Sequence, residues 1–318
     1  MDKAEERRWF EAVIPREWVA AAIPSESPDF ICCDENGPFL GVEVTELFIS
    51  ASNARIHKIP NYVVDILSSG KYRHREDRGQ LPVESATFHL DGGDRTVPVL
   101  VRQKIPIAAS IKTLAATIEK KSKKLVRYKD KVVATDLLLV DRGELFDRMK
   151  FDYAACIVHE KEVRIAIQKS GFREIWLVVN TDSKVVSIPC RVNLLAEGLA
   201  TFHTALAEVR KGTDCKVSIR DYLEMLGAYL ARRGFVKTLV MSGNDKYAVF
   251  GPGVGCFVLS EKLDLFAITP RVTQQSKLGD DVLIYEASAS HPLFDSLCRV
   301  GDERNCFLNI VETPAIQL

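Results

Sequence analysis

Nowhere in its 318 residues does the chain hold an uncharged apolar run approaching the ~18–20 residues that a membrane span needs. The charged opening, MDKAEERRWFEAV, has no apolar signal-peptide core. The expectation is a cytoplasmic protein with no membrane partner. Eight cysteines (Cys32, Cys33, Cys156, Cys190, Cys215, Cys256, Cys298, Cys306) form no C-x-x-C pair and no zinc spacing. Most sit in apolar surroundings such as YAACIV, where Cys acts as a small core residue, so a reducing compartment is expected. Charge of one sign is missing as well. Lys+Arg and Asp+Glu both number 43, which argues against coating DNA by bulk charge but leaves room for a local basic cleft. The six histidines are scattered without H-E-x-x-H, and Cys156 near His159 reads as a core pairing. Gly251 to Gly255 (GPGVG) lacks the Gly-Lys-Ser/Thr ending of a phosphate loop, and neither Ser242 nor Ser260 has a G-x-S-x-G setting. Zinc-peptidase, P-loop and serine-hydrolase chemistries therefore have no support. No internal repeat or low-complexity segment appears.

What is present is a globular composition, 47% apolar and 27% charged, at a length that suggests two domains at roughly 150 residues each. Trp9, Phe10 and Val13 give a first helix over 4–13, and 16–22 gives a short second one. Phe30 to Cys33 and Phe39 to Leu47 read as strands joined by the turn Asp34-Glu35-Asn36-Gly37. A helix over 50–67 must break at Pro60, and 71–79 reads as a solvated mixed-charge loop. Strands at 87–90 and 96–102 precede a long helix over 107–128. The apolar runs 136–140 (DLLLV) and 174–179 (EIWLVV), separated by a helix near 151–169, suit strands buried on both faces. Helices over 191–213 and 219–233, three strands between 238 and 259, and mixed segments including 282–286 and 307–311 complete the chain. The layout is α/β, with a boundary at Pro189 dividing residues 1–189 from an α+β region, 190–318, of unassigned role.

The segment 28–47 carries chemistry. Strand alternation puts Leu40, Val42 and Val44 on one face and Gly41, Glu43 and Thr45 on the other, and the hairpin can bring Glu43 near Asp29. Converging carboxylates are costly unless a cation neutralises them. Mg²⁺ or Mn²⁺, which favour carboxylates and keep several waters, suit such a pair, and either ion can polarise a phosphoryl oxygen. The plainer readings are a turn residue after Pro28 for Asp29 and a solvent-facing strand residue for Glu43. Residues 120–131 hold the basic side chains Lys120, Lys121, Lys123, Lys124, Arg127, Lys129 and Lys131, either a solvated helix face or a surface for phosphates.

Pro28-Asp29 followed by Glu43-Val44-Thr45 on a strand resembles the PD-(D/E)xK nuclease superfamily, over just more than half of the chain. The resemblance implies a restriction-endonuclease-like mixed sheet flanked by helices, built on an α-β-β-β-α-β core. It also implies Asp29 and Glu43 as ligands of Mg²⁺ or Mn²⁺, and hydrolysis of phosphodiester bonds in nucleic acid, DNA before RNA, in restriction, repair or defence. Cleaving both strands would favour a homodimer. Thr45 stands where the motif has lysine. Members of the superfamily sometimes supply that lysine from a neighbouring helix. At 100° per residue Lys121 lies beside Leu114, Leu125 and Tyr128, so Lys121, then Lys124, are the replacements expected, with Lys104 further off. Glu6 would correspond to an additional helix-borne carboxylate. The alternative is a catalytically inactive nuclease-like module that binds nucleic acid or a protein partner.

Overall fold

A computed structural model describes residues 1–101, 106–141, 145–146, 156–180, 185–235, 239–243, 246–251, 254–259, 265–269 and 288–303. Lys104 and the segments 282–286 and 307–311 lie outside the described residues. The architecture is α/β, with a mixed six-strand sheet in the order β1 (Ala22–Pro24), β2 (Phe30–Asp34), β3 (Gly37–Glu46), β6 (Ala134–Asp141), β7 (Ile175–Asn180) and β8 (Val185–Pro189). β1, β2 and β3 form an antiparallel meander. β6 then joins β3 in parallel, β7 joins β6 in parallel, and β8 returns antiparallel.

The β2–β3 turn forms because Gly37 takes φ +109, a conformation that disfavours other residues, and Asp34 Oδ1 accepts from Asn36 N–H at 2.7 Å. Helix α1 (Lys3–Val13), capped by the Asp2 side chain, lays Trp9, Phe10 and Val13 on the sheet face formed by Val42, Val44, Leu138 and Val140. Helix α6 (Ile107–Ser122) covers the other face through Leu114, Ala115 and Ile118, with Leu137, Leu139 and Leu177 beneath. Strand β6 is buried from Thr135 to Asp141. Each buried Leu or Val there contributes about 1.5–3 kcal/mol, which is why the run needs no alternation.

Several expectations change. The short second helix, α2 (Arg16–Val19), stops early because Ala22 begins edge strand β1. Pro60 does divide the next helix, into α3 (Ala51–Lys58) and α4 (Tyr62–Ser69). The expected solvated loop instead contains α5 (Asp77–Gln80), in which Asp77 is buried and bonded to Arg55, Ser52 and Tyr62. Burial pushes the Asp77 carboxyl up, but those donors outweigh it and hold it at about 2. The hairpin β4 (Val83–Leu90) and β5 (Gly93–Leu100) follows. The long helix ends at Ser122, and a 3₁₀ turn over Leu125–Arg127 continues it to Tyr128. The helix expected near 151–169 is described as a 3₁₀ turn, Ile157–His159, and α7 (Lys161–Lys169).

Beyond the sheet, α8 (Cys190–Lys211), α9 (Ile219–Arg232) and α10 (Phe294–Glu303) pack together, and β9 to β12 (Leu239–Gly243, Lys246–Gly251, Val254–Leu259, Leu265–Thr269) form an antiparallel meander. Helix α8 starts directly after Pro189 and serves both cores: Cys190 and Leu194 join the sheet's, and Val192, Leu195, Leu199 and Phe202 join the helical one.

The start of α8 rests on Glu174, which is fully buried and whose carboxylate accepts from Ile175, Arg191 and Val192 N–H at 2.7, 2.7 and 3.2 Å. Burial outweighs these donors and pushes the carboxyl up to about 7 from 4.5. A folded value above the unfolded one means that protonation favours the folded state. Its stabilising contribution is complete below about 4.5 and disappears as pH rises through about 7. Glu174→Gln removes that titration. The stability of wild type relative to this variant should fall by on the order of 3 kcal/mol between pH 4 and 8. Urea unfolding at both pH values checks it, and a pH-independent difference would show that folding leaves the Glu174 pKa unshifted.

Candidate active site

Strand register brings the two motif acids together. Phe30 pairs with Val42, so continuing the ladder by one residue sets Asp29 opposite Glu43, with both side chains on one face. Instead of continuing as a backbone ladder, Asp29 turns its carboxylate onto β3, where Oδ2 accepts from Val44 N–H at 2.8 Å. Pro28 packs over Gly41: a Cβ on Gly41 would fall 2.5 Å from Pro28 Cγ. Glycine at 41 is what lets the Pro-Asp segment lie this close to the strand.

Glu43 is 4% exposed. It points away from α1, as alternation requires, but not to solvent, because the end of α6 covers that face. Lys121 Nζ donates to Glu43 Oε1 at 2.8 Å and Lys124 Nζ donates to the same oxygen at 3.1 Å. Tyr128 Oη donates to Oε2 at 2.7 Å. Cations at the C-terminal end of a helix are also favoured by its dipole. Burial pushes the Glu43 carboxyl up, but Lys121, Tyr128 and Lys124 outweigh it and leave it below the usual carboxylate range. Burial and the neighbouring Lys124 lower the Lys121 amine despite Glu43. Burial, then Glu43, raises the Tyr128 phenol, so it stays a hydrogen-bond donor.

On the other side of the site, Asp29 Oδ1 accepts from Lys3 Nζ at 3.0 Å. Lys3 also lies 3.0 Å from Glu6 Oε2. The structure thus brings Asp29, Glu43, Lys121 and Lys124 into one site and sets Glu6 beside Asp29. Tyr128 and Lys3 were not singled out from the sequence. Tyr128 read as part of an apolar stripe, although its hydroxyl gave it a polar end, and no sequence signal connects Lys3 to Asp29. Lys131 is also tied in, through a 2.6 Å bond from Nζ to Ser27 O, while Lys120, Lys123, Arg127 and Lys129 are exposed along the same ridge.

The donors can be tested against a divalent ion. Both acids offer only oxygen, and each carboxylate oxygen has two lone pairs. Glu43 Oε1 is filled by two ammonium groups, whereas Glu43 Oε2 and both Asp29 oxygens accept one donor each. Two more buried oxygens, Glu6 Oε2 and Thr45 Oγ1, accept no hydrogen bond. Among the described residues no group of three or more His, Cys, Asp or Glu side chains is arranged to hold a metal. The fit is therefore to an ion held by two carboxylates and completed by water, as Mg²⁺ commonly is, and not to an all-protein cage. Among the described residues no helix is long and apolar enough to cross a membrane.

Comparison with protein families, curated proteins and solved structures finds no match to this chain.

Proposed function

We propose that residues 1–189 form a restriction-endonuclease-like nuclease domain that hydrolyses phosphodiester bonds with Mg²⁺ or Mn²⁺. The observation that carries this reading is the delivery of the Lys121 amine to Glu43 at 2.8 Å, on the face where Asp29 stands opposite. A helix-borne amine supplies what Thr45 cannot. The order α1, antiparallel β1–β2–β3, α6, parallel β6 supports the same assignment.

In this reading Asp29 and Glu43 hold the ion. When bound, it polarises a phosphoryl oxygen and lowers the pKa of water. Lys121 donates to the negative charge that develops on the phosphoryl oxygens as water attacks phosphorus and the P–O bond to the leaving oxygen breaks. Tyr128 keeps Glu43 in one orientation. The exposed cations Lys120, Lys123, Arg127 and Lys129 contact neighbouring phosphates, which makes binding salt-dependent. Residues 190–318 recognise the substrate or a partner, and cleavage of both strands calls for a homodimer.

The test is cleavage of supercoiled plasmid, single-stranded DNA and RNA by the full chain with Mn²⁺, Mg²⁺ or EDTA. Cutting should require the ion, and Lys121→Met should slow it about 10²-fold. Salt-sensitive binding with no cleavage of any substrate would replace this reading with the inactive, nucleic-acid-binding one, which Thr45 at the lysine position favours. Neither binding nor cleavage would end both.

A further inference from the structure

Lys3 is bonded to one of the acids that the proposed function assigns to the metal. Its Nζ lies 3.0 Å from Asp29 Oδ1, 3.0 Å from Glu6 Oε2 and 3.3 Å from Ser25 O. Two carboxylates and a backbone carbonyl are the kind of oxygen set that hard cations take, and here an ammonium fills it. The placement follows from the sequence. Asp2 caps α1, so the helix begins at Lys3, and Lys3 and Glu6, three residues apart, share the face turned to Asp29.

Resting on the proposed metal reading, we infer that Lys3 is the site's resident cation, and that a divalent ion binds Asp29 by displacing the Lys3 ammonium. Three carboxylates (Glu6, Asp29, Glu43) face three ammonium groups (Lys3, Lys121, Lys124). A divalent ion entering this balanced set adds two positive charges, which favours the departure of an amine. Lys121, with a side chain 16% exposed, sits in the last turn of α6 and is bonded to Glu43. The Lys3 side chain is 49% exposed on the first turn of a surface helix, so it can swing into water without uncovering core. It is also the amine that touches Asp29.

The two acids it would leave share that single ammonium. Glu6 Oε2 is buried and meets the Lys3 ammonium as an ion pair at 3.0 Å, without hydrogen-bond alignment. One amine serves two acids, a charge that a doubly positive ion would match in full.

Calorimetric titration of Mn²⁺ into the full chain tests this. Lys3→Met should bind Mn²⁺ about five- to tenfold more tightly than wild type, the scale on which an exposed ammonium competes for two acids. Lys3→Arg, which keeps the charge, should bind no tighter than wild type, and Asp29→Asn should lose the ion. If Asp29→Asn loses Mn²⁺ but Lys3→Met binds it equally or less tightly, Lys3 holds Asp29 in place and does not compete; the metal reading then stands without this inference. If neither wild type nor Lys3→Met binds Mn²⁺, or if Asp29→Asn binds it unchanged, both fall.

Discussion

Asp29→Asn and Glu43→Gln should each lower metal-dependent cleavage by at least about 10²–10³-fold while the protein stays folded. The amide variants are chosen over alanine because of what each acid touches. Glu43 is buried beneath two ammonium groups and a phenol. Removing its side chain would leave Lys121 and Lys124 facing one another, and the loss of a buried partner is itself destabilising. Glutamine retains the shape and one acceptor oxygen but loses the charge that would hold an ion. Asparagine at 29 can still accept from Val44 N–H at the position where Asp29 Oδ2 does so now. Plasmid nicking rates with Mn²⁺, read beside urea midpoints for each variant, separate chemistry from folding. Folded variants that cut at the wild-type rate would mean that Asp29 and Glu43 are structural and that any nuclease site lies elsewhere.

The legible part of this site was its local part. The Asp29–Glu43 juxtaposition needs only a hairpin, and Gly37 marks the turn that makes it. Lys121 could be placed because seven residues of helix return nearly to the starting angle, which sets it beside Leu114, a residue buried against the sheet. Helical periodicity also set Tyr128 on this stripe, but as an apolar member, and nothing in the spacing announces the bond its hydroxyl makes to Glu43. The Lys3 contact joins positions 26 apart in sequence through the way α1 lies on the sheet, a packing outcome with no motif. In the fold, β8 escaped notice because Ser187 interrupts its short apolar run, although all five of its residues are buried. Helix α10 does carry a stripe, Phe294, Leu297, Cys298 and Gly301, but glycine conceals its last member. There a Cβ would meet Tyr229 Oη at 2.5 Å, so Gly301 is a contact and not a break.

The sheet face opposite Glu43 should be the more sensitive one to unfolding. Asp136 pairs with Val42 in the β3–β6 ladder, next to the Glu43–Leu137 pair, and is fully buried. It accepts from Arg173 through Nε at 2.7 Å and through Nη2, from Glu174 N–H at 3.1 Å and from Trp176 Nε1 at 3.2 Å. Arg173 is in turn stacked over Trp18 of α2, 5.0 Å from the ring. Taking two charges out of water costs most of what their attraction returns, so the pair is a weak source of net stability. Breaking it is another matter. Asp136→Ala strands a guanidinium that is 4% exposed and leaves two N–H donors without their acceptor, and should cost about 3–5 kcal/mol. Replacing both partners, Asp136→Leu with Arg173→Met, should recover a large share of that loss by removing the stranded charge. Urea unfolding of Asp136→Leu, Arg173→Met and the double measures the coupling. A double variant as unstable as the sum of the singles would show that the bonds to Glu174 N–H and Trp176 hold this face together, and not the ion pair.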